Sequence, residues 1–229
     1  MEPTTAEEHG ALGIRRAPSS PRAAVLVLHG GRADAPEPPP RLNLPALRMR
    51  PFASDLVRAT RHDRVLVGHV RYRHRGWNGG REDTVRDGRE ALRALVRAVG
   101  ELPVVLVGHS MGGRAALRLA GDPHVCGVVA LAPWCPDGEP VEHLRDRRVA
   151  ALHDPDDRVT AARSTWDFLG RAERAGARTH GVPMARGGHA MLRDARTWQR
   201  TTTSLALGLL GLAPLPAALA GRDQRGRVE

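Results

Sequence analysis

Lysine is absent from these 229 residues, so all 35 basic side chains are arginine. Gly, Ala and Pro are abundant, and together with the missing lysine they suggest the bias of a high-GC genome, not a function. Aromatic residues make up only 3% of the chain, so the core must be assembled from Val, Leu and Ala. Their scarcity also removes the interleaved base-stacking platforms of a single-strand binder. The net charge of +10 comes without any block of like charge. The arginines are scattered, many on outer helix faces such as Arg86, Arg89, Arg93 and Arg97, which argues against a nucleic-acid partner. The two cysteines, Cys126 and Cys135, have neither metal-ligand spacing nor the arithmetic of a disulfide framework. No long apolar run is present: the stretch from Leu205 is interrupted by Pro214 and Pro216 and is too short for a bilayer. The opening residues are acidic and polar, unlike a secretory leader. The expectation is a soluble cytoplasmic protein with no membrane and no nucleic acid among its partners.

What the chain does contain is an alternation of buried-strand and helix patterns. Apolar runs at 23–31, 63–73, 103–110, 125–134 and 148–154, with a weaker one at 177–183, read as strands buried on both faces. Between them, helical spacing is predicted over 49–61, 83–100, 111–121 and 159–175, with a last helix from near Ala190 past Trp198. Such alternation predicts an α/β fold, a mostly parallel sheet with helices on both faces. Residues 1–221 read as a single domain, and 222–229 as a polar tail expected to be disordered. Ligand sites on such sheets lie at the carboxyl ends of the strands, so the residues just after each strand are the ones to inspect.

One such end is unusual. In "VVLVGHSMGGRAALRLA", a buried strand gives way to a helix within Gly108-His109-Ser110-Met111-Gly112. A serine at so tight a corner is held in strained backbone geometry, and glycine at 108 and 112 removes the collisions that side chains would cause. The corner lifts the hydroxyl clear and aims the first amides of the helix at whatever it attacks.

A serine hydroxyl needs a base. "ARGGHAML" supplies His189 in a loop after the last strand, with Gly187 and Gly188 giving room for close approach. The base needs a carboxylate to fix its tautomer. "VAALHDPDDRVT" offers Asp154, Asp156 and Asp157, of which Asp157 is preferred and the other two stay open. An oxyanion would need donors, and the amide of Gly31 or Arg32 in "LHGGR", with that of Met111, could serve. His29, Trp77, Met111, Trp134 and Cys135 stand near strand ends as candidate pocket walls. The two tryptophans would favour a small apolar or aromatic acyl or alcohol group.

The ordered set "VLHGG", "GHSMGG", "DDRV" and "GGHA" resembles the α/β-hydrolase superfamily over residues 22 to 210, within it the compact esterases, thioesterases and dienelactone-hydrolase-like proteins. The resemblance implies Ser110 as nucleophile, Asp157 as acid, His189 as base, and oxyanion amides at Gly31 and Met111. "RGWNGG" is similar to the superfamily's arginine–glycine loop beside the active site. The resemblance implies no metal and no organic cofactor, and a small-molecule acyl substrate. Two departures stand out: Asp154 occupies a position usually held by glycine, and only "GALGIRR" precedes the first core strand. The sheet should therefore have about six or seven strands. The short "CPDGEPVEHLRDR" leaves little or no lid. The implied activity is hydrolysis of an ester, thioester or lactone. Acyl transfer, perhydrolysis and a silent ligand-binding fold are the alternatives.

Overall fold

The computed structural model describes residues 10–220, so the expected polar tail at 222–229 lies outside the described residues. Seven strands form one sheet: β1 (Leu12–Arg16), β2 (Ala23–Leu28), β3 (Val65–Val70), β4 (Val104–His109), β5 (Val125–Leu131), β6 (Arg148–His153) and β7 (Arg178–Pro183). Their order is β1-β3-β2-β4-β5-β6-β7. The edge strand β1 runs antiparallel to β3, and every other pairing is parallel. All six residues of β2 and of β4 are buried, as continuous apolar runs covered by helices on both faces must be.

Among the described residues five helices cover the sheet: α1 (Leu44–Ala59), α2 (Asp83–Val99), α3 (Met111–Leu119), α4 (Ala162–Arg174) and α5 (Ala195–Leu209). One core joins α2, α3 and α4 to the sheet through Leu92, Leu95, Leu106, Leu117 and Phe168. The other joins α1 and α5 through Met49, Phe52, Leu56, Val105, Trp198 and Leu205. As the composition requires, Val, Leu and Ala dominate both.

Two helix starts differ from the expected ones by about five residues, and the other boundaries by three or fewer. α1 begins at Leu44, not near 49, with Pro45 in its first turn, where a missing N–H costs nothing. α5 begins at Ala195, not near Ala190, because Met191 and Asp194 take left-handed backbone angles of φ 55° and 53° that a helix cannot accommodate. The connection from β5 to β6 contains only a single 3-10 turn, Glu142–Leu144, so no helical lid stands over the sheet there.

Register aligns the strand ends. Leu28 pairs with Gly108, His109 with Leu131, Leu131 with Leu152, and His153 with Pro183. The loops after β2, β4, β5, β6 and β7 therefore open on the same edge of the sheet.

Candidate active site

The corner after β4 has the geometry its glycines predicted. Ser110 sits at φ 55°, ψ −118°, a conformation that L residues rarely adopt. A side chain at 108 would overlap the carbonyl of Gly112, and one at 112 would overlap the carbonyls of Leu28 and His29. The Ser110 amide donates to Leu131 O at 3.0 Å, and its carbonyl accepts from Arg114 and Trp134 at 3.0 and 3.1 Å. The peptide is held on both sides, so the strained corner is fixed.

Ser110, His189 and Asp157 lie in line. Ser110 Oγ is 2.9 Å from His189 Nε2, and His189 Nδ1 is 2.9 Å from Asp157 Oδ2. With Nδ1–H donating to the carboxylate, Nε2 is left to accept the serine proton. Asp157 Oδ1 accepts the amides of Val159 (2.8 Å) and Thr160 (3.2 Å). Oδ2 also accepts Thr160 Oγ1–H at 3.0 Å and His153 Nε2–H at 3.1 Å. Burial pushes the Asp157 carboxyl upward, but the Val159 amide, His189 and the Thr160 amide outweigh it, and the group lies below the ordinary value. It is an ionised carboxylate at neutral pH.

Of the three aspartates, Asp157 is the one within hydrogen-bond distance of His189 Nδ1. Asp154 spends both oxygens on backbone amides, Oδ1 on Asp156 and Oδ2 on Gly188. Asp156 points to solvent.

The amides expected to face an oxyanion also separate. Arg32 N donates to Arg75 O at 3.1 Å and is consumed in the sheet-like pairing of Arg32 with Gly76. The amides of Gly31 and Met111 have no partner among the described residues. The Met111 thioether and the Arg75 carbonyl fill the space that a side chain at position 31 would need.

A family model described as the alpha/beta hydrolase family matches residues 24–226. The chain belongs to that family. It is an enzyme of the alpha/beta hydrolase type. No curated protein matches it significantly. Among solved structures, it is similar to a thermophilic esterase of the planctomycete Thermogutta terrifontis with propionate bound. Identity is 18% over 92% of this chain and 98% of that one, with a TM-score of 0.65. It is similar to an alpha/beta hydrolase enzyme from a Medee basin deep-sea metagenome library, at 15% identity over 91% and 96% and a TM-score of 0.67. An alpha-beta serine hydrolase homologue from Coxiella burnetii aligns at 15% identity over 84% and 89%, with a TM-score of 0.62. At such identities the likeness is one of fold.

The hydrolase's expected pocket walls fall in different places. Trp77 and Trp134 meet edge to face at 6.1 Å between centroids, with the Arg114 guanidinium 3.8 Å from the Trp77 ring centre and 4.5 Å from that of Trp134. With Ala33, Asp34, Asn78, Gly79 and Glu82 they line a cleft of about 630 Å³. His29 lines a separate, small cavity of about 170 Å³ under α1, its ring edge on to Tyr72. The expected single pocket of His29, Trp77 and Trp134 is thus two cavities, because the Gly30-Gly31 turn directs the chain from the α1 face to the α3 face. Met111 and Cys135 are core residues, 1% and 5% exposed, and burial pushes the Cys135 thiol up to about 12. A further cavity, about 1310 Å³, lies between Asp154–Arg158 and the His189 loop, against Ala185–Gly188, Ala190, Leu192 and Arg193.

Arg114 is not a free cation. Its Nε pairs with Glu139 at 2.7 Å, and Glu139 also pairs with the Nε of Arg118, whose Nη2 reaches on to Glu82 at 2.7 Å. Glu139 is 2% exposed. Despite the net charge of +10, this cleft carries compensated charge.

Sequence reasoning missed three contributors: His153, Thr160 and His109. His153 and Thr160 flank the acid in "LHDPDDRVT", and His109 precedes the serine. The signal was a polar side chain, His109 or His153, as the last residue of a buried strand, where it must have a partner. Thr160, in the loop before α4, gave no such signal.

Proposed function

We propose that this hydrolase is a serine esterase that cleaves the carboxylic ester, thioester or lactone of a small substrate through an acyl-enzyme on Ser110. The observation that carries this reading is the unbroken hydrogen-bond line Ser110 Oγ–His189–Asp157, at 2.9 Å on each side of the imidazole.

Ser110 is the nucleophile. As its oxygen attacks the carbonyl carbon, His189 Nε2 takes the proton, and Asp157 stabilises the imidazolium. The carbonyl oxygen, now anionic, is received by the amides of Gly31 and Met111, whose donors are not spent elsewhere. Collapse expels the alcohol or thiol with the proton from His189. Water enters, His189 takes its proton, and the acid leaves. The residues supply nucleophile, base and oxyanion donors themselves, so each step closes without an added group.

Small substrates are favoured by two features. The cleft lined by Trp77, Arg114 and Trp134, the last two bonded through their amides to the Ser110 carbonyl, holds about 630 Å³, the scale of a small-ligand site. No helical cap spans β5 to β6 to shelter a long acyl chain. The Trp77 and Trp134 rings favour short aliphatic or aromatic groups.

A fluorophosphonate probe and a panel of p-nitrophenyl esters test the reading. The probe is expected to label Ser110, and Ser110→Ala to lose both labelling and turnover. Acetate to hexanoate esters are expected to outrun laurate. A wild-type protein that neither reacts with the probe nor turns over any ester, thioester or lactone would support the silent-fold alternative.

A further inference from the structure

The loop carrying His189 has little structure of its own. Gly187, Gly188 and Met191 all take positive φ, at 143°, 55° and 55°. Its internal backbone bonding is limited to one weak contact, Met191 N to Gly188 O at 3.3 Å. A general base must be held to within about half an ångström of its working position. Something outside the loop must therefore hold it.

Trp198 Nε1–H, on α5, donates to Arg186 O at 2.7 Å and holds the start of the loop. Two further side chains, one from each neighbouring element, flank His189 itself. Asp154, at the end of β6, accepts the Gly188 amide at 2.7 Å, across 34 residues of sequence. Its other oxygen is tied to the Asp156 amide at 2.9 Å, which fixes the carboxylate. His109, the last residue of β4, has Nε2 2.9 Å from the carbonyl of His189 itself. Since that carbonyl only accepts, His109 carries its proton on Nε2. Asp154 is 4% exposed and His109 1%. Both side chains are therefore buried at the base of the loop.

We infer that Asp154 and His109 are positioning residues that clamp the backbone on either side of His189. One side of the clamp belongs to the acid's loop, and the other to the strand that ends in the nucleophile. The three elements of the reaction line are thereby tied through backbone as well as through side chains. Asp154 stands where the resemblance to the superfamily would place a glycine. A glycine there could not reach Gly188. His109 must also stay uncharged to serve, because its ring centre is 4.9 Å from that of His189, where a second cation would oppose the imidazolium. Burial, followed by the His189 charge, lowers its pKa to about 3.

The inference rests on the esterase reading for its kinetic arm, and on hydrogen exchange for an arm that needs no activity. The variants are Asp154→Ala, Asp154→Asn, His109→Phe and His109→Gln, the last because a Gln Nε2–H can replace that of His. In Asp154→Ala and His109→Phe, kcat for a p-nitrophenyl ester is expected to fall 10- to 100-fold with KM within threefold. Amide exchange in the 186–192 peptide should speed up at least tenfold. His109→Gln should restore both to within threefold of wild type, and Asp154→Asn, with one acceptor left, should fall between. Unchanged exchange in both Asp154→Ala and His109→Phe would overturn the clamp. Faster exchange with undiminished kcat would overturn its part in positioning. If wild type shows no turnover, the esterase reading fails, and the exchange data still decide the clamp. Should Asp154→Ala not fold, Asp154→Asn and the two His109 variants carry the same test.

Discussion

His153 Nε2 and His189 Nδ1 converge on one oxygen of Asp157, at 3.1 and 2.9 Å. His153 is fully buried, and Thr165 Oγ1 donates to its Nδ1 at 2.8 Å. That bond leaves Nε2–H to donate to the carboxylate. Burial holds the His153 pKa below the ordinary value against the pull of Asp157, so it serves as a neutral donor. With the Thr160 hydroxyl also donating to this oxygen, His153 is one of two further donors that draw charge away from the bond to His189.

Removing that donor should leave Asp157 a stronger partner for an imidazolium. His153→Leu is expected to move the acid limb of the kcat–pH profile to higher pH. It should also cost about 1–3 kcal/mol of stability, because Thr165 and Thr160 O lose a buried partner. A pH–rate profile and a urea titration check both.

Asp157 should be separable from its neighbours by kinetics. Asp157→Asn is expected to lower kcat by roughly 10³–10⁴-fold with little change in KM, since the imidazole loses its orienting anion. Asp156→Asn, altering an exposed side chain, should leave kcat within twofold of wild type. Steady-state assays on the two variants decide the matter.

The protein should become acid-labile well above the carboxylate range. His109 and His69 have pKa values lowered to about 3 and about 4, each chiefly by burial, and His29 and His153 are lowered in the same direction by the same cause. For each, the unfolded chain binds a proton near pH 6.5 that the folded chain refuses. Stability is therefore full above that pH and declines as pH falls toward 3. For the fully buried His109 the slope is about 1.4 kcal/mol per pH unit. Asp157, whose folded pKa is depressed, adds a loss in the same direction below about pH 3.8. Urea unfolding between pH 7.5 and 4.5 should show the decline already at pH 5.5.

The ion pairs under the tryptophan cleft should be costly to break. Glu139→Gln leaves Arg114 and Arg118 without their shared buried anion, with an expected loss of about 3–5 kcal/mol. The Arg114 guanidinium should then leave the faces of Trp77 and Trp134. Chemical denaturation and tryptophan fluorescence read the two effects.

Much of this was legible before the structure. The parallel sheet followed from uninterrupted apolar runs such as "AAVLVL" and "VVLVG", which only a doubly covered strand tolerates. The Ser110 corner followed from its glycines. The start of α5 was not legible, because the backbone turns at Met191 and Asp194 belong to residue types that usually join a helix without strain. Nor was the division of the pocket, since whether His29 and Trp77 face one cavity depends on how the Gly30-Gly31 turn is directed. His109 and His153 passed as strand-end residues. Their roles depend on partners 80 and 12 positions away, which no local pattern encodes.

The most direct test of acyl chemistry at Ser110 is the intact mass of the protein milliseconds after mixing with excess p-nitrophenyl butyrate. Wild type should gain one butyryl group, mapped to the peptide containing Ser110, with a burst of one p-nitrophenolate per chain whenever deacylation is the slower step. Turnover of the ester by Ser110→Ala at the wild-type rate, or an acyl group found on another residue, would contradict the account.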